Sequence, residues 1–590
     1  MKKKINLISF NLSEDNINFN KEKKKQNNFL IGDWCRKNKE KFNDIKDLPS
    51  LNDLYQKKMH TSKKQIKFIE SKKKKMHNLL CKNLNYIHAK DHKKKYWYFL
   101  LDRFLLLYII AVHKHWVVVE EINKKKKIKD FYSLDLDDKI FIPQTTLHYR
   151  RISQMHSGYW SHWTFKKIFQ FRLKQLKVTK INLTNKIDFK KSLLKFTKVF
   201  KNSVLNFSLK DRIFFQDFSL SKKIILDIFL KKKFFNFSYN YKEIKLDNNE
   251  NNNHIRDLFF QRFKKTGHAF DDFLIKHMYY CFPKVYLENY ALLDRESKKL
   301  NWPTKPKFIL TSYGHYFNEM FKIYCAEKIS KNSKLFIFQH GEGGIYANND
   351  FFNIGFDKVL CDDFFTWGKL IKKKTRRFFY TKKGSIKNKN FFFLPNNKIL
   401  LVCYGFQESL RSHANLFSFA KINKIIFKNI INFSASCKQS NILNSHIKTL
   451  DMTENKTFDE ALKVKLTKLK LLDSRKKLQN IINNYNVIVH FYLSTPFFES
   501  LLFNRPTIVI FNQNIQLEYD ESFKKIIKKL FKKKIFFSSS KKAALFLDKN
   551  NSNLEKWWNS IDVQNLRMEI CNNYCREYDS KSNDFRKMFK

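Results

Sequence analysis

The pattern of apolar and polar positions changes three times along this chain. In the first fifty residues two short apolar runs, Ile5–Phe10 and Asn28–Trp34, read as strands separated by a basic polar stretch. Over residues 51–122 apolar positions recur at helical spacings: Leu54, the Ile66/Phe68/Ile69 cluster, Leu79/Leu80 and Leu84/Ile87. The most apolar segment, Tyr96–Trp116, is interrupted by Asp102 and Arg103. Its unbroken part, Phe104–Val112, is far short of the roughly 20 residues that a spanning helix needs, so it predicts a buried helix. Residues 130–300 mix short Phe/Ile runs with Lys pairs and show no clear period, and NNENNN at Asn248–Asn253 reads as a loop.

From residue 305 the pattern is that of buried parallel strands. Lys307–Ser312 (KFILTS) is a strand; Asn318 and Glu319 can start a helix, with Phe321, Cys325 and Ile329 on one face. Lys334–His340 (KLFIFQH) is the next strand, so the three elements form a βαβ unit. A second series contains Asn397–Tyr404, Asn486–Tyr492, a helix Phe497–Phe503 and Pro506–Asn512. The expected fold is α/β: two facing Rossmann-like domains with a helical insertion in the N-terminal half. Residues 1–395 form one domain, with the helical segment 51–122 and an insertion at about 130–300. Residues 396–590 form the other, ending in C-terminal helices.

With 590 residues the chain is too long for one core. Hydrophobic residues make up 43% and aromatic residues 16%, which excludes wholesale disorder. The net charge of +62 permits an anionic partner, yet the Lys-rich, Gly-poor composition fits AT-rich coding, and the cations are spread out. No nucleic-acid reader motif is present, so no specific nucleic acid is expected. Nine scattered cysteines make no disulfide framework and fit reduced thiols in the cytoplasm. The N-terminus reads as a strand rather than a signal peptide, which leaves a cytoplasmic protein with room for peripheral contact with the inner membrane.

Open α/β sheets bind ligands at the carboxyl ends of their strands. There lies QHGEGG: Gln339, Gly341, Gly343 and Gly344 form a substrate loop whose backbone a ligand can approach closely, around His340 as a general base. Its other reading is a tight turn with a structural histidine. His315 belongs to the neighbouring strand end, and Glu342 could orient His340. The second signal is STPFFES: Thr495 as N-cap and Pro496 at the first helical position offer a phosphate cradle, with Ser494 adding a hydroxyl. Glu499 could take ribose hydroxyls, although spacing alone favours an ordinary helix acid. Tyr404 and Gly405 end the strand facing it. The absence of GxxxxGK[ST] and GxGxxG argues against P-loop and classical dinucleotide sites. Asp135 and Asp137 read as a loop cap, and neither a metal nor a cofactor is expected.

Several motifs occur together in order: FLIGDWC (Phe29–Cys35), Leu84–Phe104, TSYGHYFNEMFKIYCAEKI with KLFIFQHGEGG, DDFFTWG (Asp362–Gly368), STPFFESLLFNRPTIVIFN and EKWWNS (Glu555–Ser560). In these the chain resembles, over nearly its whole length, a bacterial family of transferases from surface-polysaccharide and glycoconjugate gene clusters, related to GT-B glycosyltransferases. The QHG turn also looks like the strand-end motif of CDP-glycerol glycerophosphotransferases and capsule sugar transferases, with Glu342 where their second glycine stands. The resemblance implies an acid/base or donor-phosphate role for His340, with Thr495 near phosphate and Glu499 near ribose. The expected partners are a nucleotide-sugar donor and a glycan or glycoconjugate acceptor. Glycerophospho- or CMP-sugar transfer on the same fold stays open, as does a basic nucleic-acid-binding protein or a non-catalytic scaffold.

Overall fold

The computed structural model of the protein describes residues 3–10, 27–32, 35, 48–55, 63–155, 158–173, 175–181, 207–209, 212–218, 220–221, 224, 236–237, 253–341, 346, 354–370, 374–381, 391, 393–394, 398–403, 419–443, 445–449, 456–512 and 519–579. Three sheets carry these residues. The first is four-stranded, from β1 (Lys4–Ile8), β2 (Asn28–Leu30), β3 (Lys127–Leu134) and β4 (Lys177–Ile181) in the order β2-β1-β3-β4, all parallel. The sequence reading placed strands at β1 and β2 but did not separate this sheet from the next. Parallel pairing needs a long crossover, and between β2 and β3 the chain supplies two long helices, α1 (Lys63–Ile87) and α2 (Lys94–Lys125). Apart from Tyr98, every side chain from Tyr96 to Trp116 is buried, so the apolar stretch is a core helix as its interruption by charge predicts. Among the described residues no helix is long and apolar enough to cross a membrane. Helix α3 (Gly158–Arg172) packs on α2.

The second sheet has seven strands: β5 (Phe207–Leu209), β6 (Ile213–Phe215), β7 (Asn236–Phe237), β8 (Phe308–Thr311), β9 (Lys334–Phe338), β10 (Asp363–Thr366) and β11 (Thr375–Arg377). Its order is β11-β10-β9-β8-β6-β5-β7, parallel from β6 to β11, with β5 antiparallel to both its neighbours. Period-two alternation sends Ile309, Leu335 and Ile337 into the main core and Phe308, Leu310, Phe336 and Phe338 into a second cluster on the other face. Helix α4 (Glu319–Ser330) crosses from β8 to β9 and packs on α2, which ties this sheet to the helical unit. Helix α5 (Ile354–Leu360) precedes β10.

The third sheet is wholly parallel: β12 (Ile399–Cys403), β13 (His446–Thr449), β14 (Lys470–Leu471), β15 (Val487–His490), β16 (Thr507–Ile510) and β17 (Phe536–Phe537). Its order, β14-β13-β12-β15-β16-β17, is the 3-2-1-4-5-6 arrangement of a doubly wound dinucleotide fold, with the reversal between β12 and β15. Helix α6 (Thr495–Leu502) follows β15, α7 (Glu521–Lys532) precedes β17, and α8 (Ile561–Tyr574) packs on both. Beyond α8 the chain returns to the second sheet, where Tyr380 N donates to Arg576 O and Arg576 N to Trp367 O, each at 2.7 Å.

All nine cysteines are free, and eight are buried. Asp137 caps the 138–141 turn through the Lys139 amide at 3.0 Å, and Asp135 pairs with Lys180 at 3.2 Å, as the loop-cap reading of that acidic pair expects.

Candidate functional site

Adjacent parallel strands β6, β8 and β9 end side by side, and each delivers a titratable group there. After β6 comes Asp217, held at φ +49° and buried, which pushes its carboxyl above the usual range; Asn318 Nδ2 donates to it at 2.9 Å. After β8 the chain turns at Gly314 into His315. Asn318 then caps α4, its Oδ1 accepting from Phe321 N at 3.1 Å, as the sequence predicts. After β9 come Gln339, His340 and Gly341. Gln339 is buried and acts as a strut: its amide oxygen accepts from Trp367 N at 2.7 Å, and its Nε2 donates to Gly341 O at 2.8 Å. The turn is thereby fixed to β10, and half-buried His340 is presented at the edge.

His315 is fully buried. Its Nε2 meets Asp357 Oδ1 at 2.7 Å, while the Tyr316 hydroxyl donates to Asp357 Oδ2 at 3.0 Å. His315 therefore belongs to a buried acid–imidazole–phenol cluster, and Nδ1 has no hydrogen-bond partner. The Tyr316 ring links that cluster to the turn: the His340 ring meets it edge-on at 5.4 Å, and the Arg103 guanidinium lies 4.4 Å from its centroid. Glu342, Gly343 and Gly344 of the predicted loop lie outside the described residues, as do Tyr404 and Gly405.

In the third sheet, β15 ends at His490 and leads into α6. The N-cap is Ser494, not Thr495: Ser494 is extended at φ −158° and ψ −176°, and Phe497 N donates to its carbonyl at 3.0 Å. Thr495 is thus the first helical residue and Pro496 the second, a place where proline is tolerated because first-turn amides lack helical acceptors. The Ser494 side chain makes no capping bond. Glu499 is 7% exposed, and its Oε1 already accepts from the Tyr380 hydroxyl at 2.6 Å and from Gln479 Nε2 at 3.0 Å. Behind the helix, His490 is fully buried, which draws its pKa down to about 3. The Ser500 hydroxyl donates to Pro496 O at 2.9 Å, so His490 donates to Ser500 through Nε2 at 3.0 Å.

The two sequence signals meet in space. A Cβ placed on Gly341 would stand 3.7 Å from Thr495 Oγ1. Tyr346, just beyond the glycine loop, inserts into the other half: its ring stacks on Phe523 at 4.8 Å, and its carbonyl accepts from Asp520 N at 3.0 Å. Lys369 crosses in the same direction to Asp520. Sequence reasoning missed Asp217, Asp357, Tyr380 and Gln479, which lie far along the chain from the groups they touch and stand in no motif, and it noted Arg103 only as an interruption of the apolar segment. Among the described residues no three His, Cys, Asp or Glu side chains converge as metal ligands do.

The chain belongs to a known family of transferases, since the model of the LIC12162 family transferase matches residues 13–589. No curated protein matches it. Among solved structures, S. aureus MnaA with UDP is similar at 12% identity and a TM-score of 0.30, covering 48% of this chain and 77% of that one. The UDP-GlcNAc 2-epimerase from Neisseria meningitidis bound to UDP-GlcNAc is similar at 11% identity and a TM-score of 0.27, covering 48% and 78%.

Proposed function

We propose that this transferase is of the GT-B type and moves a sugar from a nucleotide-activated donor to a hydroxyl of a surface polysaccharide or glycoconjugate, without a metal ion. The observation that carries the reading is the approach of Gly341 to the Thr495 hydroxyl, because it sets a strand-end histidine of one sheet against a helix N-terminus of the other. The first-turn amides of α6 and the hydroxyls of Ser494 and Thr495 would hold the donor phosphates beside the β12/β15 reversal. As the glycosidic bond to the nucleotide breaks, negative charge grows on the leaving phosphate, and the helix dipole stabilises it there. His340 would take the proton of the attacking acceptor hydroxyl as a general base. His315 is buried behind Tyr316, so in this reading it orients rather than reacts.

Titration of the full-length protein with UDP, GDP, CDP and CMP, followed by thermal shift, tests the donor side. One nucleotide class should stabilise the wild type, and Thr495→Val should weaken it by about tenfold, the worth of a charge-assisted hydrogen bond. Glu499→Gln is the right probe of ribose contact, since alanine would leave the Tyr380 and Gln479 donors without their acceptor. His340→Asn should abolish transfer while leaving nucleotide affinity unchanged. Response to no nucleotide, together with tight salt-sensitive binding of random DNA, would sink the reading.

A further inference from the structure

Arg103 stands in the middle of α2, in a stretch that is otherwise core, and it is 8% exposed. Its guanidinium is caged by rings: its central carbon lies 4.4 Å from the Tyr316 centroid, 5.2 Å from Phe356 and 5.5 Å from Phe317. Cation–π contact satisfies the faces of a guanidinium, but its N–H donors lie in its plane and need acceptors. Here Nε and Nη1 are buried with no hydrogen-bond partner. The acids within reach are engaged elsewhere: Asp102 pairs with Lys73 at 2.7 Å, and Asp357 takes His315 and the Tyr316 hydroxyl. A buried guanidinium whose in-plane donors have no acceptor is costly, and an acceptor arriving from outside would relieve that cost.

Its position says which ligand. The ring that Arg103 stacks on is the ring that His340 meets edge-on, so cation and histidine share Tyr316. A second cation, Arg150, lies 5.0 Å from the Phe317 ring that also flanks Arg103. Both come from helices of the N-terminal unit, not from the third sheet that carries α6, where the donor phosphates would lie in the proposed reading. We propose that Arg103, with Arg150 beside it, forms an oxyanion subsite next to His340, so that the acceptor carries a carboxylate or phosphate group near the hydroxyl it offers. The planar fork of arginine fits either group in a bidentate manner, which a lysine does not. This inference deepens the transferase reading and rests on it for the word acceptor; the anion site itself stands on the side-chain geometry.

The test is thermal shift of the full-length protein with glucuronate and with inorganic phosphate, at constant ionic strength, on the wild type, Arg103→Met, Arg103→Lys and Thr495→Val. The wild type should respond saturably to at least one anion. Arg103→Met should weaken that response about tenfold or more, Arg103→Lys should restore part of it, and Thr495→Val should leave it intact. Without ligand, Arg103→Met should melt no lower than the wild type, because it removes buried donors that nothing satisfies. A glucuronate response identifies a carboxylate acceptor; a phosphate response that depends on Arg103 and survives Thr495→Val identifies a phosphorylated one. Equal responses in wild type and Arg103→Met would assign the effect to the +62 surface charge and overturn the proposal. So would a wild type insensitive to both anions, or a response lost in Thr495→Val and kept in Arg103→Met. Nucleotide titrations of Arg103→Met separate the two ideas: failure of nucleotides in the wild type removes the donor reading and leaves the anion result to stand on its own.

Discussion

Gly314 shows how little slack the site has at the scale of single residues. A Cβ there would meet Asp217 Oδ2 at 2.8 Å, Phe321 Cδ1 at 2.9 Å and Thr311 Oγ1 at 3.0 Å, while its amide donates to that threonine at 3.0 Å. Gly314→Ala must therefore displace a buried carboxylate or a core ring, and overpacking of this kind costs about 1–3 kcal/mol. Urea unfolding should show that loss, and any phosphate or glucuronate response should weaken with it, because His315 and Tyr316 follow directly. The sequence singled out His340 and Thr495 as candidates because each stands in a short run whose spacing has local meaning, whereas spacing alone left Glu499 an ordinary helix acid. It could not reveal Asp357, 42 residues from His315, or Tyr380, 119 residues from Glu499. Such partners are chosen by the tertiary fold and leave no periodic trace. The N-cap was displaced by one residue because proline serves at either of the first two helical positions, and only the backbone of Ser494 decides between them.

At the scale of elements, the βαβ unit from β8 to β9 and the buried strands of the third sheet were readable because each strand is a continuous apolar run ending at a turn. Residues 130–300 were not, in part because of strand length: β5 and β6 have three residues each and β7 has two, too few to show alternation. The first sheet escaped notice for another reason, since β1 pairs with β3 only after the two long helices have intervened. The return of α8 to the second sheet is equally long-range, and it makes a sharp prediction. Gly368 sits at φ +144°, and a Cβ there would come within 2.4 Å of Asn572 O and 2.9 Å of the Asn573 backbone. No side-chain rotation relieves a clash with backbone, so Gly368→Ala should push the end of α8 off the β10–β11 edge. The expected cost is about 3 kcal/mol. Limited proteolysis should then cut near residues 572–579 in the variant and spare the wild type.

Across the whole molecule, the core holds imidazoles in places where water cannot solvate their charge. Burial draws His77, His88, His113 and His115 down to about 4 and His162 and His490 to about 3. Five of them lie on or directly after α1, on α2 and on α3, and His490 ends β15, so the helical unit and the third sheet share the effect. Each is neutral in the folded protein but binds a proton near pH 6.5 once unfolded. Its contribution to stability is therefore whole above pH 6.5 and is lost as pH falls toward 4. One group loses about 1.4 kcal/mol per pH unit in that window. Several acting together would consume an ordinary folding margin of about 5–15 kcal/mol within roughly two units. Cooperative acid unfolding is expected near pH 5, with uptake of several protons, well above the range in which most carboxylates titrate. His113 offers the clean test: its ring packs on Phe68 at 5.0 Å and Phe270 at 5.6 Å, and its Nδ1 has no hydrogen-bond partner. His113→Leu should lower the acid midpoint and reduce proton uptake on unfolding by about one, measured by calorimetry in buffers of different ionisation enthalpy. An acid midpoint indifferent to that substitution would place the pH dependence in the carboxylates instead.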